Sequence, residues 1–286
     1  MKNIPTIILS IVLAFGVWAC SQNTHVGGTP PTLDVIWKTS GFKSPESILL
    51  SEDKSFLYVS NIDGQGTIHD GNGYISKLGK DGVVITEKWA TGLDAPKGMA
   101  LNGNKLYVSD INTLVEIDTA TGNITDTFPV PNAKFLNDVA YMPNLGVLVS
   151  GSATQSLYLY DGNKIELWLS DEKLSGVNGL HTDGDRVLVV TMTGGQLLSL
   201  NPATKSLEII ADGMENADGI KILKDGSYFI SSWPGQLYHV SKSGKTTLLQ
   251  DTSAEEILMN DFELEGDIAY IANYKPGTVQ AIKLTQ

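Results

Sequence analysis

Short β-rich runs recur along the chain, such as Lys105-Leu106-Tyr107-Val108-Ser109 and Ser227-Tyr228-Phe229-Ile230-Ser231, each with three apolar residues between two polar ones. Short apolar runs rich in β-branched and aromatic residues and bounded by turn signals mark buried strands. Asp-Gly dipeptides (Asp81-Gly82, Asp161-Gly162, Asp183-Gly184, Asp225-Gly226) stand between the runs, where hairpins need left-handed backbone. Beyond the N-terminal segment no long stretch keeps a helical period, so the pattern predicts an all-β chain.

The strands also recur. One phrase comes round as Pro45-Glu46-Ser47-Ile48-Leu49-Leu50, Pro96-Lys97-Gly98-Met99-Ala100-Leu101 and Leu136-Asn137-Asp138-Val139-Ala140-Tyr141. It returns as Val177-Asn178-Gly179-Leu180-His181-Thr182, Ala217-Asp218-Gly219-Ile220-Lys221-Ile222 and Met259-Asn260-Asp261-Phe262-Glu263-Leu264. Successive second positions lie 51, 40, 41, 40 and 42 residues apart. A strand-bearing repeat near forty residues is the signature of a β-propeller, one four-stranded blade per repeat. The expected fold is a six-bladed propeller over 32–286, with the six phrases as innermost strands. Glu46, Lys97, Asn137, Asn178, Asp218 and Asn260 then form a polar ring at one height of the central channel.

Two departures from the repeat refine this picture. The last repeat supplies only three clear strands, so Thr32–Ser40 is expected to pair with the strand near Thr278–Leu284 and close the circle. The long first interval places its excess in Asn61–Gly73, between the second and third strands of blade 1. That insertion should hang over the ring. Its Asn61-x-Asp63-x-Gln65-Gly66 run resembles a calcium loop only weakly, because Asn72 stands where the bidentate Glu belongs.

Composition narrows the function. Charged residues make up 18% of the chain and the formal charge is −12, which argues against a nucleic-acid partner. Arg186 is the one arginine, so a bidentate guanidinium clamp on substrate is not expected. The single cysteine, Cys20, excludes an internal disulfide and a cysteine-built zinc site. Residues 1–19 read as a signal peptide: Lys2, the apolar stretch Ile7 to Ala19, then Val17-Trp18-Ala19-Cys20. The pattern resembles a bacterial lipoprotein signal, with Cys20 as the lipid-bearing residue and a bulky Trp18 where a small residue is usual. Residues 20–31 read as a flexible tether. The expectation is an exported, envelope-anchored monomer that meets the membrane through its lipid alone.

The ring carries the candidate chemistry. Two carboxylates and three amides suit a hard divalent cation, Ca²⁺ first, and nothing favours zinc or copper. Lys97 either holds a substrate oxygen or replaces the metal's charge.

The repeat resembles the six-bladed propellers of the gluconolactonase, regucalcin (senescence marker protein) and luciferin-regenerating enzyme family. The resemblance runs from about Thr32 to Leu284. It rests on Glu46 in blade 1, Asn137-Asp138 in blade 3, Asn178-Gly179-Leu180 in blade 4 and Asp218-Gly219-Ile220 in blade 5. It implies that Glu46, Asn178 and Asp218 hold the metal, that Asn137 sits beside it, and that Asp218 is the general base. Lys97 and Asn260 are taken as further substrate contacts. Phe135 stands where the family's lactonases usually carry an arginine, and Lys97 occupies a blade that normally carries no cation.

Other candidates are weaker. His181 lies three positions after Asn178 and by strict alternation points away from it. His69 and Asp70 read as a solvated loop tip, and Trp37, Trp89, Trp168 and Trp233 as packing between blades. Ser47 has no neighbouring base in sequence, and no Gly-x-Ser-x-Gly elbow occurs. The expected function is metal-dependent hydrolysis of a sugar lactone or related small ester. The alternative is a non-catalytic envelope-anchored module that binds a ligand or a protein.

Overall fold

The computed structural model describes Met1 and residues 29–285. The apolar stretch Ile7 to Ala19, Cys20 and the tether as far as residue 28 lie outside the described residues. Six four-stranded antiparallel sheets hold the 24 described strands and stand around a central channel as the blades of a propeller. In each of the first five blades the strands follow one another from the channel outward. In the sixth, Thr32–Ser40 lies outermost, antiparallel to Thr278–Thr285, with Thr32 opposite Thr285 and Ser40 opposite Thr278. Side chains lock this closing strand to blade 1. Trp37 Nε1 donates to Lys80 O at 2.9 Å, and Thr39 Oγ1 donates to Gly82 O at 2.6 Å.

Apolar burial falls between blades rather than in one central core. The blade 3–blade 4 interface buries Ala140, Leu148, Leu157, Val177, Leu180 and Val189. Each of the other five interfaces has its own cluster, including Tyr270 and Ala281 against Ile48 and Val59 where blade 6 meets blade 1. The channel wall is therefore free to be polar.

Every inner strand breaks its alternation at the same place. Pro45 faces Asn61 and Ile48 faces Val59, so three steps on the inner strand match two on its partner. The same one-residue excess follows Pro96, Leu136, Val177, Ala217 and Met259. A bulge leaves a backbone N–H without its ladder partner, and a buried donor must find another. Three blades answer with a serine on the second strand. Ser47 N donates to Ser60 Oγ at 2.9 Å, Asp138 N to Ser150 Oγ at 2.8 Å and Gly219 N to Ser231 Oγ at 2.9 Å.

The bulge overturns the alternation argument for His181. With one extra residue between them, the second and fifth positions of each phrase both face the channel. Asn178 reaches one mouth and His181 the other, where it lines a cavity with Lys221 and Glu263. Neither end of the strand turns its polar side chain into the blade.

Candidate functional site

The six second-position side chains, all buried, line a single pocket of about 190 Å³ at one mouth of the channel. Each comes from the start of an inner strand, just before the bulge. The 62–72 segment crosses above them. Ile62 and Gly66 join the lining, and Lys97 Nζ donates to Gly66 O at 3.2 Å and to Ala95 O at 2.9 Å. The ammonium also lies 4.5 Å from the centre of the Phe135 ring. Among the described residues Lys97 forms no contact ion pair, so it does not close a salt-bridged plug with Glu46. It ties the insertion to the ring instead.

Beneath the ring lies a second acidic level formed by the residues that follow Asn137 and Asn260. Asp138 accepts from Leu180 N at 2.6 Å and from Val139 N at 2.7 Å, which joins blade 3 to blade 4. Asp261 accepts from Ser47 Oγ at 2.7 Å, which joins blade 6 to blade 1. On their other sides a glycine makes room. A methyl group at Gly98 would collide with the Asp138 carboxyl, and one at Gly219 with that of Asp261. The two aspartates stand three blades apart, so the channel wall has an approximate two-fold symmetry in which each braces three inner strands.

Burial dominates the electrostatics. It raises the Glu46 carboxyl well above the usual range, Asp218 adds to the rise, and Lys97 opposes it. Asp218 is raised in the same way, by burial and then by Asp261 and Asp138. The Asn178 amide favours the Asp218 anion without reaching full hydrogen-bond geometry. Burial lowers Lys97, against the pull of Glu46 and Asp110. Asp138 is pushed up to about 8, chiefly by burial and then by Asp261.

Several ring atoms are left without partners. Glu46 Oε2, Asp218 Oδ1, Asn260 Oδ1 and Asn178 Nδ2 are buried and make no hydrogen bond. A buried unpaired polar atom costs roughly 1–3 kcal/mol, so four around one pocket call for a ligand. As a cation site the set is oxygen-rich but has only two carboxylates, and no group of three or more His, Cys, Asp or Glu among the described residues is placed to hold a metal ion. Zinc and copper would find no imidazole or thiolate here, whereas a hard cation tolerates neutral oxygens and water in its shell. The residues fit that narrower class.

Sequence reasoning did not find the pocket's upper wall. Ile62, Met192, Trp233 and Tyr274 line it, each immediately after the second-strand position that pairs with the start of the inner strand. The same repeat held the signal, since Ile62, Ile111, Ser152, Met192, Trp233 and Tyr274 occupy equivalent positions. Trp233 meets Tyr274 edge to face at 5.1 Å between ring centres. It walls the pocket as well as packing blade against blade.

No protein-family model matches this chain, and no curated protein matches it. Solved structures do. A streptogramin B lyase aligns with a TM-score of 0.66 at 13% identity, covering 90% of this chain and 98% of its own. Two structures of virginiamycin B lyase from Staphylococcus aureus are similar. The catalytically inactive histidine-to-alanine variant with quinupristin gives a TM-score of 0.62 at 12% identity. The selenomethionine-substituted enzyme gives 0.64 at 12%. Both alignments cover 88% of this chain and 99% of the lyase. The shared fold is the propeller. At such identity the likeness carries no chemistry, and the gluconolactonase resemblance rests on the ring motifs alone.

Proposed function

We propose that the ring mouth binds a small lactone or related ester and hydrolyses it with a divalent cation held by Glu46, Asn178 and Asp218. The observation that carries this reading is the set of unpartnered oxygens, Glu46 Oε2, Asp218 Oδ1 and Asn260 Oδ1, on residues that line one small pocket. When bound, a hard cation such as Ca²⁺ would polarise the ester carbonyl. Asp218, with a carboxyl held above the usual range, suits the abstraction of a proton from water. Lys97 has spent two of its three N–H donors on Gly66 and Ala95, and the third is available to a substrate oxygen. Asn137, next to Asn178, and Asn260, between Asp218 and Glu46, orient the substrate beside the cation. Phe135, Trp233 and Tyr274 cover an apolar body and limit the entry of water.

A second reading keeps the pocket and drops the reaction. Phe135 replaces the arginine of the resembled lactonases, and Lys97 is held by the insertion, so the same mouth also suits a ligand-binding module. The lyase chemistry of the structural neighbours is not carried over. One of them is inactive as a histidine variant, and no ring position here is a histidine.

Metal analysis of the purified protein, then a lactone panel with and without chelator, decides between the two. Binding to the folded state alone raises stability by about 2.7 kcal/mol at a hundredfold excess over Kd, so titration with Ca²⁺, Mg²⁺, Mn²⁺ and Zn²⁺ should raise the melting temperature for at least one ion. No shift with any of them, and no turnover, would leave the binding module. The address is a separate proposal: the chain is exported and lipid-anchored at Cys20. Cys20→Ser should release it from the membrane fraction or stall its processing. Unchanged partition would refute the anchor.

A further inference from the structure

We propose that the mouth opposite the ring is a second ligand site, suited to a small organic monocarboxylate with a short apolar body. The inference is independent of the reaction proposed for the ring. It starts from the bulge, which brings the fifth residue of every phrase into the channel. These residues divide the mouth in two. Blades 1 to 3 present Leu49, Ala100 and Ala140, and blades 4 to 6 present His181, Lys221 and Glu263, around a cavity of about 480 Å³. Met99 and Val139 extend the apolar half. A cavity with one apolar wall and a few convergent polar groups is the usual form of a small-molecule site.

The polar half has donors to spare. Lys221 Nζ has its nearest carboxylate oxygen, Glu263 Oε2, at 3.8 Å, too far for a good hydrogen bond. One oxygen of Glu263 already accepts Leu264 N at 2.8 Å. Burial works against the Lys221 charge, but Glu263, Asp261 and Asp138 outweigh it and keep the ammonium protonated. The His181 imidazole has no hydrogen-bond partner among the described residues. Burial and then Lys221 push its pKa down to about 3, so it is a neutral imidazole with one N–H to offer.

One ammonium and one neutral N–H match a single carboxylate. A phosphate dianion would bring a second charge against Glu263 and Asp261. The fifth positions opposite are all apolar, and the polar residues on that side, Ser51, Glu52, Lys54 and Tyr141, come after them in the chain at the rim, so the part of the ligand against the fifth positions is apolar. These are the properties of a short-chain carboxylate.

Two methionines let one experiment watch both mouths, because Met99 lines this cavity and Met192 lines the ring pocket. Hexanoate is titrated into the full chain carrying ¹³C-methyl methionine, with hexan-1-ol and hexylammonium as comparators. Hexanoate should shift the Met99 methyl and leave Met192 in place, and both comparators should bind about tenfold more weakly or not at all. Lys221→Met should weaken hexanoate by about tenfold or more. Leu49→Glu sets an anion in the apolar half at a partly exposed position and should abolish binding, which keeps a test available if Lys221→Met does not fold. The proposal is overturned if Met99 does not move at ~20 mM hexanoate. It is also overturned if hexan-1-ol binds equally well, if Met192 moves instead, or if both variants bind like wild type.

Discussion

Ser47 Oγ donates a 2.7 Å hydrogen bond to Asp261 Oδ2, and through it the first and last repeats meet at the channel wall. Half a turn away Asp138 makes the matching connection, to Leu180 N at 2.6 Å. Both aspartates are buried near the centre of the molecule, yet they brace the strands that present the ring. Their protonation therefore bears on stability.

The folded-state pKa of Asp138 is raised from 3.8 to about 8, and those of Glu46, Asp218 and Asp261 move in the same direction. A carboxyl raised on folding binds its proton more tightly in the native state. Its contribution is fully present below the unfolded pKa and is lost as pH rises through the folded one. In chelator, the melting temperature should fall from pH ~5 to pH ~8, with each such group contributing at most ~1.4 kcal/mol per pH unit. Asp138→Asn cannot titrate and should flatten that slope, whatever its offset. A melting temperature that rises with pH over this range would contradict the assignment.

Closure by the N-terminal strand makes a second prediction. Removing the chain through Ser40 strips the outer strand from blade 6 and exposes the edge at Thr278–Thr285. The loss should reach several kcal/mol, each worth ~2–4 °C in a chain of this size. Removal through Pro31 leaves the strand intact and should cost almost nothing. Thermal melts of the two truncations give the answer, and equal melting would refute the closure.

Lys97 separates two roles. Lys97→Met keeps the stem and removes the ammonium that holds Gly66 O. The 62–72 segment should then be cut faster by protease. Cation affinity at the ring should tighten by about tenfold or more, because a unit charge a few ångströms away is worth roughly 1–4 kcal/mol near a protein surface. Calorimetry with Ca²⁺ on both proteins measures the second effect. Unchanged affinity would mean that the ammonium is screened from the ring.

Gly98 tests the braces directly. An added methyl meets the Asp138 carboxyl, its Cα and the Asn137 carbonyl, so Gly98→Ala should cost about 1–3 kcal/mol or more. Gly103 is the control. It has φ near +59° with nothing within 4 Å of an added Cβ, so alanine there bears only the backbone cost of about 1 kcal/mol. Equal losses at the two positions in denaturant melts would show that the Asp138 contact is slack.

The six blades were legible because a forty-residue period survives any local ambiguity, and the ring because each copy repeats one polar position. What escaped depended on pairing rather than on one strand's own letters. The face of His181 is set by two residues on the inner strand opposing one on its neighbour, which no single run displays. Serines next to the ends of several second strands looked like ordinary strand boundaries, and three of them accept the bulge's stranded N–H. Trp233 was read as packing because large aromatics usually are. Its place one residue past the equivalent second-strand position, like Ile62, Met192 and Tyr274, is a property of the repeats in register rather than of its own strand.

A plain strand of six residues would give the channel one row of side chains and the blade interior the other. Because each inner strand carries its extra residue at the same height, every repeat owns one side chain at each mouth of the tunnel. Duplicating a repeat thus duplicates a half-share in two separate chambers. Substitutions at the fifth position can rework one chamber while the second position keeps the other, so a single tube can acquire two unrelated specificities by drift at alternate ends.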